Sequence, residues 1–164
     1  MQKQEAEKEF EKHIREHELL LRKVCRIYAY TDADREDLFQ EIVIQLWKAW
    51  PRFKGHSKLS TWLYRVAINT AISGLRKKRN FIQHYEPAAM PEPVSEHTHE
   101  VEERWQLLYH AIEQLNAVEK AIVMLYMDDR SYEEMEDIIG LGQGNLRVKM
   151  NRIKEKLREL TKNN

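Results

Sequence analysis

Apolar residues recur three and four positions apart along most of the chain, a spacing that predicts helices almost throughout. Phe10, Ile14, His17, Leu21, Val24 and Tyr28 put one stripe on a helix over residues 5–30. Thr31-Asp32-Ala33-Asp34 breaks that pattern and offers N-caps to a second helix, with Leu38, Ile42, Leu46 and Trp50 as its stripe, ending before Pro51. Residues 51–59, PRFKGHSKL, read as a connector. Ser60 is placed to cap a third helix through Trp62, Leu63, Val66, Ala67 and Ala71 towards Leu75, closed by the positive charge of residues 76–79. Periodicity is lost over residues 81–102, where Pro87, Pro91 and Pro93 stand among acidic residues, and this predicts a flexible linker. Helices are predicted again over 103–115 and 117–127, followed by the polar turn Asp128-Asp129-Arg130. Ser131-Tyr132-Glu133-Glu134 is a capping box for a short helix through Met135 and Ile138 that stops near Gly140. After Leu141-Gly142, a long last helix carries Leu146, Met150, Ile153, Leu157 and Leu160. The expected fold is all-α, with two small helical domains, residues 1–80 and 103–164, joined by the 81–102 linker.

Composition agrees with helices: five Gly, four Pro and 33% charged residues in 164. A single cysteine, Cys25, rules out an intramolecular disulfide and sits among apolar neighbours as a small buried residue. The first residues are charged, and no run approaches the roughly 18 apolar residues of a membrane span. A cytoplasmic protein without direct membrane insertion is expected. His13 and His17 stand one helical turn apart and His97 and His99 lie in the linker, but neither pair has a third ligand at a useful spacing, so no metal and no cofactor is expected. Glycine-rich phosphate loops, nucleophile elbows and zincin helices are all missing, which argues against an enzyme and leaves no catalytic residue to name.

Charge changes the picture, because it is neutral in sum and uneven in distribution. Residues 51–80 hold eight basic and no acidic side chains, residues 81–140 carry a net −11, and residues 141–164 a net +5. Within the first basic block stand Phe53, Trp62 and Tyr64, a mixture suited to a polyanion whose bases can stack. On its helix Trp62, Arg65, Asn69, Ser73 and Arg76 fall on roughly one face, and Gly55, Ser57 and Lys58 of the connector are placed to wall a pocket. A tryptophan packed in the core is the plainer reading of Trp62. The C-terminal pair, a short capped helix, a glycine-containing turn and a longer helix, has the grammar of a helix-turn-helix. With Leu146, Met150, Ile153 and Leu157 inward, the last helix presents Asn145, Val148, Lys149 and Arg152, flanked by Arg147, Asn151 and Lys154. The helix of residues 36–50 displays Glu36, Asp37, Gln40, Glu41 and Gln45 beside Trp47 and Trp50, as half of a protein interface would. On these residues alone a conventional helix-turn-helix regulator with an N-terminal sensing or dimerisation domain remains an alternative.

Taken together, Asp37-Leu38-Phe39-Gln40-Glu41, Leu46-Trp47, Pro51-Arg52-Phe53 and the run from Ser60 to Ala71 (STWLYRVAINTA) resemble region 2 of the extracytoplasmic-function sigma factors of the sigma-70 family. Leu115, Glu119, Ser131-Tyr132-Glu133-Glu134-Met135 and the run from Gly144 to Arg152 (GNLRVKMNR) resemble their region 4. The resemblance implies an RNA polymerase sigma factor that directs core enzyme to promoters. Asp37, Gln40, Glu41 and Trp47 would dock on core polymerase, while Phe53, Lys58, Trp62, Arg65, Asn69 and Arg76 would meet the melted −10 element. Asn145, Arg147, Val148, Lys149, Asn151, Arg152 and Lys154 would enter the −35 major groove. Promoter DNA, core polymerase and an anti-sigma factor are the implied partners. Two positions depart from the usual pattern: Gly142 replaces a Ser or Thr cap, and Val148 stands where a small polar residue is frequent.

Overall fold

The computed structural model describes residues 1–82 and 100–162. Among them are eight α-helices, one short 3₁₀ turn and no strand. In order these are α1 (Gln2–Glu16), α2 (Glu18–Tyr28), α3 (Asp32–Ala49), the 3₁₀ turn Trp50–Arg52, α4 (Leu59–Ile82), α5 (Glu100–Glu113), α6 (Ala117–Met127), α7 (Tyr132–Ile139) and α8 (Gln143–Lys162). The chain divides into two compact units, Met1–Pro87 and Ala88–Asn164. Both ends of the expected linker are helical, since α4 continues to Ile82 and α5 begins at Glu100.

In the first unit α2, α3 and α4 pack on one another around Leu21, Val24, Ile42, Leu46, Leu63, Tyr64, Ala67 and Ala71, all buried. The stripe expected over residues 5–30 is carried by two helices, not one. At His17 the backbone leaves helical geometry (φ −112°, ψ 18°), and its ring nitrogen Nδ1 donates to the His13 carbonyl at 2.9 Å. Helix α1 contributes a single buried side chain, Phe10. Thr31 caps α3 by accepting from the Asp34 amide at 3.1 Å, as its sequence position predicts. Arg22 joins α2 to α3: it donates to Glu36 at 2.8 Å and lies 3.7 Å from the centre of the Phe39 ring. The bond to Glu36 outweighs the desolvation of Arg22 and raises its pKa. Glu36 is therefore engaged within the fold. Helix α4 starts a residue before Ser60, with the Lys58 carbonyl accepting from the Trp62 amide at 3.1 Å.

In the second unit α8 packs against α5, α6 and α7. Ile112, Ile122, Leu125, Met135, Leu146, Met150 and Ile153 form its fully buried centre. The complete capping box lies at Asn116, where the side chain accepts from the Glu119 amide at 2.8 Å and Glu119 accepts from the Asn116 amide at 3.1 Å. At Ser131 only half of the expected box forms. Its hydroxyl accepts from the Glu134 amide at 3.1 Å, while the Glu134 carboxylate takes a bond from Arg130 at 3.1 Å. Helix α7 ends on Gly140 at φ +85°, a left-handed cap that a side chain would strain.

Candidate nucleic-acid interface

Three surfaces carry the residues singled out in the sequence. The first is the connector and the start of α4. Pro51 sits at the first turn of the 3₁₀ segment, and the Phe53 amide donates to the Trp50 carbonyl at 3.1 Å. This folds Phe53 back on Trp50 (ring centres 5.8 Å apart, planes 22° apart) and on Trp62 (4.9 Å). Trp50 meets Trp62 at 5.9 Å and Phe10 at 5.6 Å. The connector thus rests on an aromatic base that joins α1, α3 and α4. Trp62 is half-buried within that base, so a stacking ring would extend an existing cluster. Above the base Arg52, Lys54, His56 and Lys58 are exposed, and Gly55 at φ +75° turns the chain between them.

Further along α4, Asn69 and Ser73 are exposed on the stripe that Trp62 begins. Seven residues separate Asn69 from Trp62, about 10 Å along the helix axis. Asn69, Thr70, Ser73, Gly74 and Lys77 line one side of an open groove of about 670 Å³, faced by Glu41, Gln45 and Ala49 of α3. Arg65 is half-buried and Arg76 exposed, and neither lines the groove. Of the six residues expected to meet the −10 strand, the fold places Phe53 and Trp62 in contact, Lys58 on the connector above them, and Asn69 farther along their stripe.

The second surface is the outer face of α3. Asp37, Gln40 and Glu41 are exposed, and Gln45 donates to Glu41 at 2.9 Å. Trp47 is 37% exposed, its ring held by Phe10 at 5.0 Å. Ile44, 46% exposed, falls between these polar residues and Trp47 and was not singled out by the sequence reading. Its spacing of four from Gln40 and three from Glu41 was the signal available.

The third surface is α8. Asn145, Arg147, Val148, Asn151 and Arg152 are exposed; Lys149 and Lys154 are half-buried. Arg147 lies 5.1 Å from the Tyr132 ring centre and Lys154 4.6 Å from that of Tyr126, so both flanking cations lean on α6 and α7. Lys156, on the other flank, donates to both Glu119 oxygens at 3.0 and 3.2 Å. Gly142 caps α8 with its backbone alone, its carbonyl accepting from the Leu146 amide at 2.9 Å. Exposed hydrogen-bonding groups on a helix held by α7 and a tight turn can read base edges, and flanking cations can meet phosphates.

Among the described residues no group of three or more His, Cys, Asp and Glu is placed to hold a metal, and no helix is long and apolar enough to cross a membrane. His97 and His99 lie outside the described residues.

Comparison with known proteins finds relatives for both helical units. The Sigma-70 region 2 family model matches residues 13–81 and the Sigma-70 region 4 model residues 105–157. The ECF RNA polymerase sigma factor SigG of Mycobacterium tuberculosis is 48% identical over 46 residues, which are 28% of this chain and 12% of SigG. The ECF RNA polymerase sigma-E factor of Escherichia coli is 30% identical over 135 residues, covering 74% of this chain and 71% of sigma-E. In fold, the chain is similar to the sigma factor RpoE, solved in complex with the anti-sigma factor NepR from Bartonella quintana (TM-score 0.75, 22% identity, 94% of this chain and 98% of that one). It is also similar to CnrH, solved with the cytosolic domain of CnrY (TM-score 0.67, 16% identity, 96% and 90% coverage). With both regions present in order on separate helical units, and a relative matched across most of both chains, the chain belongs to the extracytoplasmic-function sigma factors of the sigma-70 family.

Proposed function

We propose that the chain directs core RNA polymerase to specific promoters and promotes opening at the −10 element, without catalytic residues of its own. The observation that carries this reading is the division of labour between the two units. One holds a basic connector on an aromatic base, with Asn69 about two turns farther along α4, suited to an unpaired strand. The other presents an exposed helix suited to duplex. Asp37, Gln40, Glu41 and Trp47 on α3 dock on the polymerase. Phe53, Lys58, Trp62, Arg65, Asn69 and Arg76 capture the opened −10 strand, and Asn145, Arg147, Val148, Lys149, Asn151, Arg152 and Lys154 meet the −35 duplex. Capturing an unstacked base biases opening, since unstacking costs a few kcal/mol that stacking and hydrogen bonds on the protein offset. An anti-sigma factor is a further partner, in keeping with the complex of the sigma factor RpoE with the anti-sigma factor NepR. The working location is the cytoplasm, where core polymerase is found.

Gel filtration with bacterial core polymerase free of other sigma factors tests the first step. Co-elution that is lost on altering Asp37, Gln40, Glu41 and Trp47 supports the reading. Failure to co-elute, beside tight and specific duplex binding by the chain alone, would assign it instead to the conventional helix-turn-helix regulators.

A further inference from the structure

Val148 is the one apolar side chain on the duplex-facing side of α8 near its start. It is the sixth residue of a helix that begins at Gln143, and it is 48% exposed. With Leu146, Met150 and Ile153 buried, the 100° step per residue puts Val148 almost opposite the core. Its neighbours one turn away are Asn145 and Arg152, with Asn151 beside it, and all three are exposed. A single exposed valine is ordinary on a protein surface. This one is centred in a set of side chains that can hydrogen-bond base edges, in the first two turns of the helix, from which such helices reach into the groove.

An isopropyl group has no donor and no acceptor, and its β-branch holds it in one strongly preferred rotamer on a helix. In the major groove the apolar feature that such a group can recognise is the C5-methyl of thymine. Cytosine at that place would set its amino group against a surface that cannot accept from it, and a purine would leave a hydrogen-bonding edge unpaired. The flanking cations do not compete for this position, because Arg147 and Lys154 are drawn aside over Tyr132 and Tyr126.

We propose that Val148 is a specificity-determining residue that selects thymine, by its methyl group, at one position of the −35 element. The inference rests on the reading of α8 as the −35 helix and adds to it a particular base and atom. Its strength is that of burying about one methyl group, some three- to fivefold in affinity.

The test uses the full chain assembled with core polymerase on duplexes randomised across the −35 element. The wild-type chain should enrich thymine at one position, and Val148→Ser should lose that preference while keeping those set by its neighbours. On the enriched sequence, replacing that thymine by deoxyuridine, which lacks only the methyl group, should weaken wild-type binding about three- to fivefold and leave Val148→Ser unaffected. Val148 is half-exposed and makes no part of the core, so the variant should retain the wild-type melting curve and core binding. Enrichment of a −35 sequence that responds to neither change would overturn the role given to Val148 while leaving the sigma reading intact. No −35 enrichment at all by a polymerase-bound chain would overturn both that role and the reading of α8 as the −35 helix.

Discussion

Asn69 stands two helical turns beyond Trp62 and lines the groove shared with Glu41 and Gln45, so its amide can meet an unpaired base without disturbing either helix. Asn69→Ala is expected to slow promoter opening, read by permanganate reactivity of −10 thymines, with core binding unchanged; equal loss of both would remove Asn69 from the opening step. Arg152, exposed on α8, is expected to cost about 1–3 kcal/mol of −35 discrimination when replaced by Ala, measured by competition between promoter variants. An unchanged preference would make it a phosphate contact. Cys25 makes a different prediction. Burial pushes its thiol from an ordinary 9.0 up to about 11, and Tyr28 is raised by burial in the same direction. Above pH 9 the unfolded chain releases the thiol proton while the folded chain keeps it. The contribution is therefore intact below pH 9 and is lost between pH 9 and about 11, by at most about 1.4 kcal/mol per pH unit. Urea unfolding at pH 8 and pH 10 should show the decline, and Cys25→Ala should make it shallower.

At the scale of elements, caps separate what the sequence shows from what packing decides. Asn116→Ala removes the side-chain arm of a capping box, leaving only the backbone amide of residue 116 to donate to Glu119, and should cost about 1 kcal/mol. Gly140→Ala should cost about the same through backbone strain alone, since nothing lies within 4 Å of a Cβ built there. Each loss should lower the melting temperature of the second unit by several degrees, about 4–8 °C for a domain of this size. The three-and-four spacing was enough to place α6 to the residue and to mark Thr31 and Gly140 as ends, because those signals are local. The break at His17 was not legible: apolar spacing runs straight through it, and neither glycine nor proline marks the place. The half-formed box at Ser131 was hidden for another reason. Arg130, just before the motif, takes one oxygen of the Glu134 carboxylate, and the other accepts from the Ser131 hydroxyl. The exposed face of α8 was legible because one buried stripe on a helix fixes the opposite face. The aromatic base under the connector was not, since Phe10, Trp62 and the Trp50–Phe53 turn come from separate elements and meet through tertiary packing.

Across the whole molecule, neutrality conceals a repulsive arrangement. The second unit presents Glu133, Glu136 and Asp137 on α7, the helix packed against α8, and all three are exposed. Free of polymerase, the chain should bind duplex weakly. Changing these three residues to Gln, Gln and Asn should raise its non-specific affinity about three- to tenfold at low salt, measured by fluorescence anisotropy, with the gain shrinking as salt screens the charges. Similar affinity before and after would mean that the acidic face lies too far from the phosphates to matter. The aromatic base has an optical consequence. Of four tryptophans, Trp47, Trp50 and Trp62 belong to that cluster in the first unit, and Trp105, 46% exposed, stands in the second. Indoles held at fixed angles beside other rings couple their transitions, so the near-ultraviolet circular dichroism of this chain should be dominated by the three-indole cluster of the first unit, with a smaller part from Trp105 beside Tyr109 at 6.4 Å. Trp105, more exposed than Trp47 (46% against 37%), should emit at the longer wavelength. A single sample therefore carries two spectrally distinct reporters, one for each half of the molecule, without any label being attached.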